Sequence, residues 1–323
     1  MVYTHDSKSC AARLMGSSPI SGTLNENKPK IIAIVGATAS GKTALSLALA
    51  ERFRGEIISA DSRQVYRRLD IGTAKATKAE RATVPHHLID VADIDTVFTA
   101  HDFAELANAA ITTILDRAHT PIVVGGTFFY LDQLRGTAGK APVPPNPSLR
   151  TALATLSLAE LTARVAAYDP SLLATIDTAN PRRLMRAIEV LEALGHIPPV
   201  APVESQYTWL TIGLTAHKDE LRTRYEERAR AWLAAGFLTE IQGLLDSGVT
   251  RERLGEIGFE YRLGLELLDC TIDEATFIQR FVEKNWQYAK RQYLWLKRDE
   301  TVLWCNPSRQ DQIFSTVERF LQD

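Results

Sequence analysis

The sequence predicts an α/β fold in which a parallel sheet is flanked by helices and carries a helical insertion domain. In the first half of the chain, short apolar runs with strand character alternate with helical patterns. This alternation is typical of βαβ units and of a parallel sheet covered on both faces. A proline-rich segment then precedes a wholly helical stretch, after which one more strand-like run returns the chain to the sheet.

The predicted sheet begins at Lys30. The run that follows is wholly apolar and rich in β-branched residues, as expected of a strand buried on both faces. Two more short strands end at Asp61 and Gly125, and the helix between them has Thr99 or Asp102 as its cap. The predicted strands are Ile31–Val35, Glu56–Ala60 and Pro121–Val124, and the predicted helices are Ala44–Phe53 and Asp102–Arg117.

The second half of the chain opens with four prolines between residues 139 and 149, which predict a stiff linker rather than an element. A capping box at Ser157–Glu160 begins one helix. Asn180 and Pro181 begin another, which Gly195 ends. We therefore expect a disordered tail (1–29), an α/β core (30–138 and 205–323) and a helical insertion domain (139–204). Within the second part of the core, the predicted elements are a strand at Tyr207–Leu214 and helices at Lys218–Ala235, Leu238–Leu245, Tyr261–Leu268 and Ile272–Arg298.

Composition bounds the function without identifying it. The 323 residues carry a formal net charge of −2, and 45% of them are hydrophobic, which excludes collagen-like, coiled-coil and wholly disordered chains. Three widely spaced cysteines form neither a disulfide framework nor a paired zinc site. No apolar run is long enough for a signal-peptide core or a membrane helix, so we expect a cytoplasmic protein without membrane contact.

The best-defined motif lies between the first strand and the first helix and fits GxxxxGK[ST], the Walker A pattern. Glycines let backbone N–H groups turn towards phosphate oxygens, and the following helix presents the positive end of its dipole. Lys42 supplies a charge for the terminal phosphate, and the Thr43 hydroxyl supplies a ligand for Mg²⁺. The motif predicts a P-loop NTPase-like phosphate site formed by Gly36, Ala37, Thr38, Ala39, Ser40, Gly41, Lys42 and Thr43.

An acid of the Walker B type is less evident. Asp61 and Asp90 both follow strand-like residues, but neither follows four consecutive apolar residues. The loop therefore fits a motor or switch ATPase poorly, and a kinase or a transferase with a diphosphate-bearing donor fits better. His86 and His87 have no ligand partner spaced nearby, so we expect a structural role for them.

Five segments, taken in order, carry a resemblance to a known family. Besides the phosphate loop they are ADSRQVY (60–66) with LDIGTAK (69–75), PHHLID (85–90), GGT (125–127) and AKRQYLWLK (289–297). This set resembles the bacterial tRNA dimethylallyltransferases, also called tRNA isopentenyltransferases, from about Lys30 to about Trp304. The chain departs from the family pattern at Ala37, Phe128-Phe129 and Leu294, where no acid, base or phosphate ligand is lost.

The resemblance implies transfer of a dimethylallyl group from dimethylallyl diphosphate to N6 of the adenosine 3′-adjacent to the anticodon. It implies Mg²⁺ as cofactor and the tRNA anticodon stem-loop as partner, and we expect the chain to act as a monomer. The family's general base maps onto Asp61, for which a cap or a magnesium ligand is the alternative. Arg224 and Arg228 map near the donor diphosphate, beside Lys42 and Thr43. Pairs with glutamates one helical turn away explain either arginine nearly as well.

The implied acceptor requires a basic surface, and local counting finds one between Arg280 and Arg298. Six cations stand there against the single acid Glu283, a local balance of +5. Aromatic residues alternate with them, a combination suited to single-stranded RNA loops. Of this helix, we expect Trp286, Tyr293 and Trp295 to lie in the core and Lys290, Arg291 and Gln292 to contact RNA.

The resemblance also places tRNA contacts on other parts of the chain. Three arginines share one face of a helix in the insertion domain, which would clamp the anticodon stem. The tRNA-binding residues that we expect in all are Asp61, Ser62, Arg63, Gln64, Thr127, Arg150, Arg182, Arg183, Arg186, Gly258, Phe259, Lys290, Arg291, Gln292, Trp295 and Lys297.

Three other functions stay open at this stage. An isopentenyltransferase acting on free adenine nucleotides does not need the insertion or the basic helix. A P-loop small-molecule kinase accounts for the phosphate loop but not for the basic, aromatic helix. A non-enzymatic RNA-binding module leaves Lys42 and Asp61 without a role.

Overall fold

A computed structural model describes residues 28–138, 143–199 and 203–323. The predicted tail lies outside this part of the chain except for its last two residues, as do residues 139–142 of the predicted linker. The linker prediction is wrong from Pro147 onward, because Asn146 caps a helix in which Pro147 occupies the first turn. Proline suits that position, since its missing N–H would have no partner there.

Six parallel strands form one sheet in the described residues, in the order β3-β2-β4-β1-β5-β6. The central strand β1 is buried over six of its seven residues, and it pairs Ile34 with Val124 on one side and with Ile212 on the other. Burial on both faces explains its continuous apolar run. The strands are β1 (Lys30–Gly36), β2 (Gly55–Ala60), β3 (His86–His87), β4 (Thr120–Gly125), β5 (Thr208–Leu214) and β6 (Leu303–Cys305).

Helices cover both faces of this sheet, and local signals mark most of their ends. Thr99 caps the helix that follows β3, and Asp102 completes its capping box, so the two candidate caps act together. The helices are α1 (Lys42–Arg52), α2 (Lys78–Thr83), α3 (Ala100–Asp116), α4 (Phe128–Arg135), α5 (Pro147–Leu153), α6 (Leu158–Tyr168), α7 (Pro181–Leu194), α8 (Lys218–Ala234), α9 (Phe237–Asp246), α10 (Arg251–Ile257), α11 (Phe259–Leu268), α12 (Glu274–Leu296) and α13 (Gln310–Gln322).

Two compact units divide the chain. One comprises the residues up to Arg135 together with Ser205–Asp323, and it contains the sheet. The other is Gly136–Glu204, in which α5, α6 and α7 enclose a small apolar core that includes Leu161, Val165 and Ile188. Among the helices of the described ranges, none is long and apolar enough to cross a membrane.

Candidate active site

The phosphate loop connects β1 to α1 with a backbone that glycine makes possible. Gly36 and Gly41 have φ angles of +151° and +98°, and Ala39 lies in the left-handed region at +60°. Gly41 caps α1 without a side-chain hydrogen bond. The first N–H groups of the helix therefore face the loop, where an anion can accept from them.

The Lys42 side chain folds back over this loop. Its Nζ donates to the carbonyl oxygens of Gly36 at 3.0 Å and Ala37 at 2.7 Å. Burial and the nearby guanidinium of Arg228 lower the pKa of Lys42 to about 8, against the opposing effect of Asp61. A diphosphate would reverse this balance, because an anion beside the ammonium favours its charged form.

Two arginines of α8, Arg224 and Arg228, reach the phosphate loop. Arg228 donates to the Thr38 hydroxyl at 3.0 Å, and Arg224 donates to the Ala39 carbonyl at 3.0 Å. Arg224 also contacts Glu220 at 3.5 Å, which is the pair considered as its alternative, and its place near the donor diphosphate stays a prediction. Arg228 makes no ion pair within the described residues, and burial lowers its pKa. Its guanidinium is directed at the loop.

Asp61 follows β2 at the carboxyl edge of the sheet. Its Oδ1 accepts from the backbone N–H groups of Arg63 at 2.9 Å and Gln64 at 3.4 Å, which is the capping role considered as its alternative. Its Oδ2 accepts no hydrogen bond from any described residue. Two cavities of about 70 Å³ each are lined by both Lys42 and Asp61. The carboxylate therefore faces the same space as the phosphate loop.

The strand β4 ends beside Asp61 and brings Thr127 to the site. The Thr127 hydroxyl accepts from the backbone N–H of Ser62 at 3.1 Å. Gly125 lies so close to β2 that a Cβ there would stand 2.1 Å from the Ala60 carbonyl oxygen. Only glycine allows the two strand ends to approach this closely, and this approach holds Thr127 next to the Asp61-Ser62 segment.

The next two residues of the Asp61 segment are held by the protein itself. Arg63 forms an ion pair with Glu260 at 2.5 Å. Gln64 accepts from the Ser59 hydroxyl at 2.8 Å and donates to the carbonyls of Thr73 and Ala74 at 3.2 Å. Their predicted contacts with tRNA stay predictions, and the structure adds a structural role for both.

Two residues of α12 lie on the opposite face from the one expected. Gln292 is 4% exposed rather than directed to RNA, whereas Trp295 is 37% exposed rather than in the core. Gln292 accepts from the Thr38 N–H at 3.1 Å and donates to the Gly126 carbonyl at 3.0 Å. The face that packs against the sheet is therefore rotated towards Gln292, and Trp295 lies near the end of the helix.

On the exposed face of α12 and just after its end, cations lack carboxylate partners among the described residues. Arg280 pairs with Glu266, but within the described ranges the five other cations have no carboxylate within 4.0 Å. Several lie over aromatic rings instead: Lys297 is 4.9 Å from the Tyr293 ring centroid, and Arg291 is 5.7 Å from that of Tyr288. These five, here called the basic strip, are Lys284, Lys290, Arg291, Lys297 and Arg298.

In the unit Gly136–Glu204, a buried acid organises the predicted tRNA-binding arginines. Glu189 is 3% exposed, and it accepts from Arg150 at 2.7 Å and from Arg186 at 3.0 Å. Burial raises the pKa of Glu189, but the hydrogen bonds from Arg150 and the Asn146 backbone outweigh it and the pKa is lowered. The side chains of Arg182 and Arg183 lie exposed on the same helix. Sequence reasoning missed Glu189 because it reads as one more helical glutamate.

Of the other candidate residues, Asp90 and His87 do not line either cavity, whereas His86 lines the one that contains Thr43. Asp90 pairs with Lys75 at 2.5 Å and Arg81 at 2.9 Å, so it is not a Walker B acid in this arrangement. His87 contacts the buried carboxylate of Glu56 at 2.7 Å. No group of three or more His, Cys, Asp or Glu residues able to hold a metal occurs in the part of the chain that the structure describes.

The Mg²⁺ expected from the sequence would take its protein ligand from the start of α1. The Thr43 side chain is exposed at the first turn of α1, and it lines the same cavity as Lys42 and Asp61. Hydroxyl and carboxylate oxygens beside a diphosphate form the donor set that Mg²⁺ prefers. The residues present fit this ion.

Comparison with known proteins gives one consistent result. Residues 64–299 match the family model described as IPP transferase. A tRNA dimethylallyltransferase of Roseiflexus sp. (strain RS-1) is 44% identical over 283 residues, 84% of this chain and 92% of the relative. One of Levilactobacillus brevis is 40% identical over 305 residues, 91% of this chain and 99% of the relative.

Solved structures agree with these relatives. The full-length tRNA isopentenylpyrophosphate transferase of Bacillus halodurans superposes with a TM-score of 0.68 at 32% identity, covering 91% of this chain and 97% of that one. A eukaryotic dimethylallyltransferase acting on tRNA has a TM-score of 0.69 at 28% identity, covering 83% and 70%. The predicted parallel α/β fold is confirmed.

Proposed function

Because the chain belongs to the IPP transferase family, together with tRNA dimethylallyltransferases, we propose that it transfers a dimethylallyl group to tRNA. The donor is dimethylallyl diphosphate, and the acceptor is N6 of the adenosine 3′-adjacent to the anticodon. The observation that carries the proposal is the position of Asp61, which lines both cavities that Lys42 also lines. A phosphate site and a proton acceptor thus share one space.

The donor's diphosphate occupies the phosphate loop. The N–H groups at the start of α1, the Lys42 ammonium and the guanidinium groups of Arg224 and Arg228 surround it. They stabilise the charge that develops on the leaving group as the C1–O bond breaks. When bound, Mg²⁺ on Thr43 adds further positive charge at the diphosphate oxygens.

Asp61 receives the proton that the acceptor must lose. The exocyclic amine of adenine is a weak nucleophile because its lone pair is delocalised into the ring. As N6 bonds to C1 of the donor, its N–H becomes acidic, and Oδ2 of Asp61 takes the proton. Oδ1 is held by the N–H groups of Arg63 and Gln64, so the carboxylate is fixed while Oδ2 stays available.

The tRNA supplies the counter-charge for the basic strip. Its five cations lack carboxylate partners among the described residues, which suits phosphates and unstacked loop bases. Arg182 and Arg183, exposed on α7, serve the anticodon stem. One chain carries all of these groups, and we propose that it acts as a monomer.

The direct test uses radiolabelled dimethylallyl diphosphate, unmodified tRNA and Mg²⁺. We expect labelled tRNA, no labelled AMP or ATP at equal concentration, and loss of labelling when EDTA removes Mg²⁺. Asp61→Ala is expected to retain tRNA binding and lose about two to four orders of magnitude in turnover, whereas Asp95→Ala, an exposed control, stays at the wild-type rate. Equal labelling of free nucleotides would identify the nucleotide isopentenyltransferase instead, and phosphorylation of a small molecule from ATP would identify a kinase.

A further inference from the structure

An ion pair lies inside the reaction space next to the proton acceptor. The Arg63 guanidinium contacts Glu260 at 2.5 Å, and the two side chains are 23% and 7% exposed. Both residues line the cavity that also contains Asp61 and Lys42. The mechanism proposed above uses neither of these two side chains.

One oxygen of the buried Glu260 carboxylate has no hydrogen-bond partner in the described structure. Oε1 of Glu260 takes the Arg63 hydrogen bond, while Oε2 is buried without a hydrogen-bond partner in the described structure. Burying an acceptor without a hydrogen bond costs free energy unless a ligand or a water molecule donates to it. Gly258 leaves room for it, since a Cβ there would lie 2.5 Å from Oε2.

Arg63 connects Glu260 to the proton acceptor. Its side chain pairs with Glu260, while its backbone N–H binds Oδ1 of Asp61 at 2.9 Å. The guanidinium also lies 5.8 Å from the ring centroid of Tyr288, which lines the cavity together with Trp232, and a planar base can stack on such rings. The cavity therefore combines aromatic surface with two carboxylates that each have an oxygen to offer.

We propose that Glu260 selects the acceptor base, an inference that rests on the proposed function. Its Oε2 accepts a hydrogen bond from one N–H of the exocyclic amine, while Asp61 takes the proton from the other N–H. An adenine amine offers two N–H groups and so satisfies both carboxylates. Guanine and hypoxanthine present a keto oxygen at the same ring carbon, which would face the Glu260 oxygen with lone pairs against lone pairs. Glu260 thus rejects the keto purines as well as binding adenine.

The test measures binding of three tRNA anticodon stem-loops, which carry adenosine, inosine or unsubstituted purine riboside at the target position, without donor. We expect the wild-type protein to bind the inosine loop at least about tenfold more weakly than the adenosine loop. Glu260→Gln, whose amide can donate to the keto oxygen, is expected to reduce this ratio about tenfold. Glu252→Gln, an exposed control on α10, keeps the wild-type ratio.

A wild-type ratio in folded Glu260→Gln, checked by circular dichroism, would overturn the proposal. If that variant does not fold, the proposal is tested with the wild-type protein alone, by comparing its binding of the inosine and purine riboside loops. Repulsion makes inosine bind more weakly than purine riboside, which has no group at this ring carbon, and equal binding of the two would overturn the proposal. Failure of the transferase reaction itself would appear separately, as wild-type protein that does not label the adenosine loop.

Discussion

Gln292 offers the sharpest test, because the sequence pattern and the structure assign it different partners. The basic, aromatic pattern of its helix predicts contact with tRNA, whereas the side chain is buried and connects the phosphate loop to the end of β4 through Thr38 and Gly126. Gln292→Leu keeps the bulk and removes both hydrogen bonds. The Thr38 N–H and the Gly126 carbonyl then lose their partner.

The size of the effect follows from these two groups. Leaving one buried backbone group unsatisfied costs about 1–3 kcal/mol, and Thr38 is half-buried, so water can replace part of the loss. We take about 2 kcal/mol in total. If this cost falls on the ligand-binding form of the loop, affinity for diphosphate decreases about 30-fold.

Isothermal titration calorimetry with inorganic diphosphate and Mg²⁺ measures this decrease, and filter binding at fixed salt measures the tRNA affinity separately. We expect a higher Kd for diphosphate and a tRNA Kd within about threefold of the wild-type value. Gln287→Leu, an exposed control on the same helix, should change neither. Weaker tRNA binding with unchanged diphosphate binding would refute the role of Gln292 in shaping the phosphate loop and make this residue an RNA contact.

Two further predictions concern charge. Because Lys42 has a pKa of about 8 in the free protein and diphosphate favours its charged form, binding takes up a proton above that pH. Above pH 8, the diphosphate Kd of the wild-type protein is therefore expected to rise by up to about tenfold per pH unit relative to that of Lys42→Met. Identical pH profiles for the two proteins would contradict this prediction. Lys290→Gln should weaken tRNA binding and lower the slope of log binding constant against log salt concentration by about 0.7–0.9. Lys78→Gln, which removes an exposed cation on α2, should leave this slope unchanged. An unaltered slope for Lys290→Gln would show that Lys290 does not contact RNA.

The sequence reveals those parts of the site that depend on neighbours in the chain. The phosphate loop and the capping box before α6 are local arrangements with recognisable spacing, and both form as expected. Asp61 could be located because a parallel sheet aligns its strand ends.

Contacts between distant segments could not be predicted in the same way. Arg63 and Glu260 are 197 positions apart, and neither residue type indicates that the other lies beside it. Helical periodicity shows which residues of α12 share a face, but not which face the sheet covers, so the positions of Gln292 and Trp295 were reversed. Glu189 was missed for the same reason, since its burial depends on how α5 and α7 pack.

The helix α12 connects the proposed tRNA surface to the phosphate loop. It is 23 residues long, or about 35 Å at the usual helical rise, and it carries three cations of the basic strip on its exposed face and Gln292 on its buried face. A displacement of this helix by bound tRNA would also act on the hydrogen bonds that Gln292 makes to Thr38 and Gly126. Whatever factor bound tRNA applies to donor affinity, bound donor must apply to tRNA affinity, because linkage between two ligands is reciprocal.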